Sequence, residues 1–132
     1  MKNYVKRYLF IILTLIIGVV ANAQTVTSWK GTSGSSWSTA SNWTNGIPTA
    51  SVDVVIGDAN FTGNNQPSTS ANAVCKSLTI GGVKASTLTV NNAMTVNGSV
   101  LINNNGTLNH TGSTSAIITV KGNWTNNGIY TG

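Results

Sequence analysis

The C-terminal half of the chain repeats itself, and the length of the repeat limits the folds that it can adopt. Residues 94–100 (MTVNGSV) align with residues 118–124 (ITVKGNW) at an offset of 24, and residues 104–108 (NNGTL) align with residues 126–130 (NNGIY) at an offset of 22. A unit of this length is typical of one coil of a parallel β-solenoid. A single coil cannot bury its apolar face alone, so stacked coils must form a continuous core.

Short segments from residue 73 onward alternate apolar and polar residues, as in residues 78–80 (LTI), 87–90 (TLTV) and 94–96 (MTV). This alternation is typical of strands with one buried face, and it places Thr or Asn on the outer face. Runs of Asn and Gly separate the segments and predict corners, where stacked Asn side chains can hydrogen-bond to one another. Trp124, which aligns with Val100, is expected to pack within a coil.

An antiparallel β-sandwich is an alternative, because it also has short alternating strands and because Asn97-Gly98 is a common hairpin turn. Both folds are all-β. Asn, Thr, Ser and Gly make up more than half of residues 24–132, and this composition disfavours helices. The single cysteine, Cys75, cannot form an internal disulfide, so packing and strand hydrogen bonds must hold the fold together.

Residues 1–23 have the pattern of a helical secretory signal peptide. Three cations lie in the first seven residues, residues 9–20 are almost entirely apolar, and Ala21-Asn22-Ala23 is a small-x-small cleavage motif. The apolar run is shorter than the stretch of about 20 residues that crosses a bilayer. We therefore predict recognition by the export machinery and cleavage after Ala23. The mature protein is then secreted or displayed at the cell surface, and it does not span the membrane.

The positive charge of the whole chain belongs largely to this signal peptide. Of the 7 Lys and Arg residues, three precede residue 24, and residues 24–132 contain no Arg and no Glu. The charged residues of the mature chain are Lys30, Lys76, Lys84, Lys121, Asp53 and Asp58. A nucleic-acid interface needs Lys and Arg clustered on one face, so we predict no nucleic-acid partner.

The mature chain divides into a tryptophan-rich N-terminal cap and loop, residues 24–72, and β-solenoid repeats, residues 73–132. Within the first part, residues 53–56 (DVVI) have the composition of a strand. Residues 57–72 hold few large apolar side chains and several turn formers, which predicts a loop.

Three tryptophans in the N-terminal part, Trp29, Trp37 and Trp43, have two interpretations. Aromatic rings stack on sugars, which would make them a glycan-binding platform. Terminal solenoid coils also need a cap, because otherwise the apolar core and unpaired strand edges meet water. We favour the cap and expect Trp37 and Trp43 to cover the N-terminal end above Val54 and Ile56.

The mature sequence offers few groups for catalysis. A glycosidase needs two carboxylates on either side of the scissile bond, whereas a strand and a turn separate Asp53 from Asp58. His110 has no neighbouring metal ligand in the sequence, and Cys75 is expected to be a small buried hydrophobe. We predict a non-enzymatic protein with no catalytic, metal-binding or cofactor-binding residues.

Residues 29–130 resemble the N-terminal region of large secreted proteins of type IX-secreting bacteria, with autotransporter-like parallel β-helix repeats. The resemblance rests on the opening WKGTSGSSWSTASNWTNGIPTASVDVVI and on the rungs SLTIGG, TLTV, MTVNGS and ITVKGNWTNNG. It implies a right-handed parallel β-helix in a bacterial surface or matrix protein, often an adhesin. Such proteins carry a C-terminal sorting domain. This chain stops at Gly132 in mid-repeat, so we expect a fragment of a longer protein or a short relic.

Together these features predict a secreted or cell-surface scaffold or adhesin module whose partner is an extracellular glycan or the surface matrix. The alternative is a carbohydrate-binding module, or the non-catalytic part of a polysaccharide-degrading β-helix enzyme.

Overall fold

Short parallel strands wind into a β-solenoid of about four turns. The computed structural model describes residues 25–132, and the predicted signal peptide, residues 1–23, lies outside the described residues. Within the described part the chain is all-β, apart from one turn of 3-10 helix at Ala40–Asn42. The strands are β1 Val26–Ser28, β2 Asp53–Ile56, β3 Ser68–Thr69, β4 Ala73–Cys75, β5 Leu78–Ile80, β6 Ser86–Val90, β7 Met94–Val96, β8 Val100–Ile102, β9 Gly106–His110, β10 Ile118–Val120, β11 Trp124–Asn126 and β12 Ile129–Thr131.

The strands form three sheets, one on each side of the solenoid. Sheet 1 has the order β1-β2-β5-β8-β11, sheet 2 the order β3-β6-β9-β12, and sheet 3 the order β4-β7-β10. Every strand pairing in these sheets is parallel. Each full turn therefore contributes one strand to each sheet before the chain returns one layer further along. The predicted parallel β-solenoid is confirmed, and the antiparallel sandwich is wrong.

The offsets of the sequence repeat are the same as the offsets between paired residues of neighbouring strands. Met94 pairs with Ile118 across β7 and β10, and Val100 pairs with Trp124 across β8 and β11. Leu108 pairs with Tyr130 across β9 and β12. Aligned residues therefore occupy the same place on successive turns.

The solenoid begins earlier in the chain than residue 73. β1 and β2 already belong to sheet 1, where Thr27 pairs with Val54. Residues 57–72, predicted as a loop, contain β3, which starts sheet 2 by pairing with β6. This strand could not be predicted from composition, because β3 consists of two small polar residues. Their pairing partners lie 21 positions later in the sequence.

One apolar core runs along the axis of the solenoid. In β5 and β8, the paired residues Leu78 and Val100, and Ile80 and Ile102, are buried, while the intervening Thr79 and Leu101 are half-buried on the outside. The period of two along a strand sets this alternation. Burial of these side chains is shared between neighbouring turns, since each layer covers the next.

The corners are held by hydrogen bonds between turns. The Asn105 side chain accepts from the backbone N–H of Gly82 and donates to its carbonyl, both at 2.8 Å, and Asn103 Nδ2 donates to the Gly81 carbonyl at 2.9 Å. We expected stacked asparagines to bond to one another, but these two bind the backbone of the preceding turn. Gly81 has a φ of +82°, and a Cβ there would lie 2.6 Å from the Gly106 nitrogen, so this corner requires glycine.

Buried polar groups inside the turns are also paired. Ser86 Oγ donates to the Ile56 carbonyl and accepts from the Gly81 N–H, both at 2.9 Å. Thr69 Oγ1 accepts from the N–H groups of Asn91 and Asn92 at 3.0 and 3.2 Å. Across residues 25–132, no buried side-chain nitrogen or oxygen lacks a partner, as native packing requires.

The corners between sheets 2 and 3 differ in length. Residues 91–93 join β6 to β7, whereas residues 111–117 join β9 to β10. Residues 111–115 are exposed and Ala116 is buried. The pairing of Met94 with Ile118 is nevertheless in register, so the extra residues project away from the core.

Candidate functional site

The three N-terminal tryptophans form one aromatic cluster. The ring centroids of Trp29 and Trp43 are 4.9 Å apart, and those of Trp37 and Trp43 are 4.8 Å apart, both edge to face. Such geometry places the positive edge of one ring against the negative face of the next. The relative exposures are 0% for Trp29 and 2% for Trp37 and Trp43.

Hydrogen bonds fix the rings of Trp29 and Trp43. Trp29 directly follows β1, and its N–H donates to the Val55 carbonyl at 2.9 Å. The indole Nε1 of Trp29 donates to the Asn65 carbonyl at 2.7 Å, and that of Trp43 donates to the Trp37 carbonyl at 2.8 Å. Each of these two buried indole nitrogens therefore has the partner that burial demands.

Residues 29–46, here named the tryptophan segment, are organised around the buried side chain of Asn42. Its Oδ1 accepts from the Ser33 N–H at 2.7 Å, and its Nδ2 donates to the Gly34 carbonyl at 3.0 Å. Sequence reasoning did not identify this role. The available signal was an asparagine between tryptophans after a run of Gly and Ser, since an Asn amide can bond to nearby backbone groups.

The tryptophan segment also covers the outer edge of β1. The Thr44 N–H donates to the Ser28 carbonyl at 3.0 Å, and the Ser28 N–H donates to Thr44 Oγ1 at 2.9 Å. Asn45 Nδ2 donates to the Val26 carbonyl at 2.6 Å. These bonds occupy positions that a further strand of sheet 1 would use.

Burial determines what the tryptophans can contact. Stacking on a sugar requires an exposed ring face, and the exposures of Trp29, Trp37 and Trp43 are too small for it in this conformation. All three belong to the same buried cluster as Val54 and Ile56. Trp124 differs from them, since 41% of its surface is exposed.

The two carboxylates lie at separate structural positions. Ser77 Oγ donates to Asp53 Oδ1, and Lys76 Nζ lies 3.6 Å from Asp53 Oδ2. Asp58 Oδ2 accepts from Ser28 Oγ at 2.6 Å, and its Oδ1 accepts from the Asn60 N–H at 2.9 Å. Asp53 thus links β2 to the next turn, while Asp58 ties a loop to β1.

The remaining candidates for chemistry are Cys75 and His110. Burial raises the pKa of the Cys75 thiol to about 12, and the negative charge of Asp53 adds to this effect. The thiol is therefore protonated, and a protonated thiol is a poor nucleophile. His110 Nε2 bonds to the Ala116 carbonyl. Residues 25–132 contain no group of three or more His, Cys, Asp or Glu side chains placed to hold a metal ion.

Comparison with family models, with curated proteins and with solved structures finds no match for this chain. In the part of the chain that the structure describes, no helix is long and apolar enough to cross a membrane.

Replacing Trp43 with alanine should strongly destabilise the fold. Truncating a buried tryptophan leaves a cavity and typically costs about 3 to 5 kcal/mol. Urea unfolding should show a large drop in the midpoint for Trp43→Ala and a smaller drop for Trp124→Ala, whose ring is 41% exposed. Equal midpoints for wild type and Trp43→Ala would contradict the burial of this ring.

The thiol of Cys75 should make the protein less stable in alkali. Its native pKa of about 12 lies above the ordinary value of 9.0, so the unfolded chain loses this proton first as the pH rises. The protonated thiol therefore contributes its full stability below pH 9.0, the ordinary pKa, and this contribution is lost as the pH rises towards about 12, the native pKa. Between about pH 8 and about pH 11, wild type should lose more unfolding free energy than Cys75→Ala. Parallel losses in the two proteins would show that the thiol makes no contribution.

Proposed function

We propose that this chain is a non-enzymatic β-solenoid module of a bacterial secreted or cell-surface protein, acting as a scaffold or adhesin. The export signal in residues 1–23 supports the location. The resemblance to the N-terminal region of type IX-exported proteins supports the same assignment, with this module displayed as part of a surface structure.

The observation that carries the proposal is the regular outer surface made by stacked turns. Stacked repeats create extended surfaces suited to binding large partners. Sheet 2 has the longest strands of the solenoid, and the five-residue strands β6 and β9 each turn two residues outward. Thr87 pairs there with Thr107, and Thr89 pairs with Asn109. Hydroxyl and amide groups are thus presented in two parallel rows, and such groups bond readily to polysaccharide hydroxyls.

The positions of the reactive side chains support a non-enzymatic role. Asp53 and Asp58 are engaged in bonds to neighbouring strands and loops. Cys75 is buried and protonated, and His110 bonds to a backbone carbonyl. Asp53, Asp58 and His110 are thus structural links in this fold, and Cys75 is part of its apolar core.

Expression of the whole chain in a Gram-negative host tests the assignment to the exported class. The protein should appear outside the cytoplasm with the mass of residues 24–132, because the small residue at position 23 permits cleavage. Ala23→Arg should retain the full mass, since a large cation at the cleavage position blocks the peptidase. An uncleaved wild-type protein in the cytoplasm would refute export.

Adhesion is tested by binding of purified residues 24–132 to immobilised bacterial and matrix polysaccharides. We expect the double substitution Thr87→Lys with Thr107→Lys to weaken binding by about tenfold or more, since two cations disrupt the paired hydroxyls. Thr95→Lys with Thr119→Lys is the matched control, because those threonines pair in the same way on sheet 3.

Three results separate the remaining functions. Equal loss of binding in both double variants would refute adhesion through sheet 2. If the protein binds none of the polysaccharides, adhesion to polysaccharide is refuted and the scaffold role is the one that stays. Release of new reducing ends from any polysaccharide would overturn the non-enzymatic assignment.

A further inference from the structure

Four asparagines of residues 25–132 are followed directly by glycine, namely Asn45, Asn97, Asn105 and Asn127. An Asn-Gly pair can deamidate without an enzyme, because glycine has no side chain to keep its backbone nitrogen away from the asparagine side-chain carbon. A hydrogen bond from the glycine N–H opposes this reaction, since it holds the nitrogen in place and keeps its proton. The bonds of the four glycines therefore separate a reactive asparagine from protected ones.

Three of these glycines donate their N–H to an acceptor. Gly98 donates to the Lys76 carbonyl at 2.6 Å, Gly106 to the Asn103 carbonyl at 2.8 Å, and Gly128 to Asn126 Oδ1 at 3.0 Å. The last acceptor is a side chain, which can turn away, whereas the first two are backbone carbonyls of solenoid corners. Gly98 and Gly106 also lie close to backbone atoms of the preceding turn. Asn97 and Asn105 are therefore protected while the turns stay stacked.

Gly46 differs from these three glycines. Its N–H donates to no group among residues 25–132, and a Cβ on it would meet no atom within 4 Å, so the space around it is open. Asn45 is exposed, and among the described residues its side chain makes one bond, from Nδ2 to the Val26 carbonyl at 2.6 Å. Asn105, by contrast, is held through both its Oδ1 and its Nδ2. Asn45 thus combines a free neighbouring nitrogen with an accessible amide.

We propose that Asn45 is a site of spontaneous modification, at which the Gly46 nitrogen attacks the side-chain amide carbon. A bond forms between that nitrogen and Cγ, its proton passes through solvent to Nδ2, and the Cγ–Nδ2 bond breaks with release of ammonia. The product is a five-membered succinimide. Water then adds to one of its two carbonyl carbons and opens the ring, which leaves aspartate or isoaspartate at this position. No group is oxidised or reduced, and water is the only co-reactant.

The change removes hydrogen bonds that cover the outer edge of β1. A carboxylate has only acceptor atoms, so it cannot replace the Nδ2 donor that Asn45 gives to the Val26 carbonyl. Isoaspartate also adds one carbon to the backbone between Thr44 and Gly46. In the unmodified chain, the Asn45 N–H donates to Thr27 Oγ1, and Thr27 Oγ1 donates to the Gly46 carbonyl, both at 3.1 Å. The longer backbone moves these two groups apart, so ageing of the protein loosens the cover of β1.

Incubation of the purified protein at mildly alkaline pH, with peptide mapping at intervals, tests this site. Asn45 should convert at least about tenfold faster than Asn97 and Asn105, because bonded glycine nitrogens react only when their turn opens. In urea, where every turn is open, the three rates should become similar. Asn45→Gln is the control at the same position and should stay unmodified, since its longer side chain has to close a less favourable six-membered ring.

Hydrogen exchange measures the consequence for β1 separately. Exchange at residues 26–28 should become faster in the aged wild type and in Asn45→Asp, which carries the aspartate product from the start. Asn97→Asp is the matched control for the added charge. Asn97 Nδ2 lies 3.4 Å from the Ala50 carbonyl, so this substitution removes only a long hydrogen bond at a different corner. Circular dichroism verifies that each variant is folded.

Several results would overturn the proposal. If Asn45 converts no faster than Asn97 and Asn105 in the folded protein, the free Gly46 nitrogen gives no added reactivity. An equally fast mass change in Asn45→Gln would place the reaction at another residue. If Asn45 converts but exchange at residues 26–28 is unchanged in the aged protein and in Asn45→Asp, the bonds of Asn45 do not hold the cover of β1.

Discussion

Parallel hydrogen bonding between successive turns is the constraint on which the rest of this structure depends. Because side chains alternate with a period of two, a slip of one residue would move every core side chain of a strand to the surface. The pairing of Leu78 with Val100 and of Ile80 with Ile102 therefore sets both the backbone register and the core. No turn buries these residues by itself, so stability is shared between neighbours along the axis.

The first described turn of this stack has a strand edge and a core face to cover, and the tryptophan segment covers both at the N-terminal end. At the N-terminal end, the side chains of Thr44 and Asn45 bond to β1 where the backbone of another strand would otherwise be. The buried amide of Asn42 holds the loop that carries them. The aromatic cluster then fills the space beneath this segment. Polar side chains thus form hydrogen bonds with the backbone at the outer edge of β1, while the aromatic rings cover the apolar core as another turn would.

The register of the C-terminal turns could be predicted because the sequence of these turns repeats. Residues such as Met94 and Ile118 are aligned by a repeat, and a repeat needs no knowledge of tertiary contacts. The role of Asn42 and the pairing of β3 could not be predicted in this way. Asn42 acts through backbone groups in a loop without periodicity. Ser68 and Thr69 gain their strand geometry from pairing with β6 and from backbone bonds between Ser68 and residues 35–37. Their composition is that of a turn, and tertiary pairing overrides it.

The outward-projecting corner at residues 111–117 shows where this architecture accepts additional chain. It is longer than the equivalent corner at residues 91–93, yet β10 remains paired in register with β7. Ala116 returns to the buried side just before the strand resumes. Loop closure becomes only slowly less favourable with length, so a corner of this type can hold a longer excursion, or even a folded insert, at little cost to the layers beneath. New surface chemistry can therefore be added at this corner while the stacked turns keep their spacing.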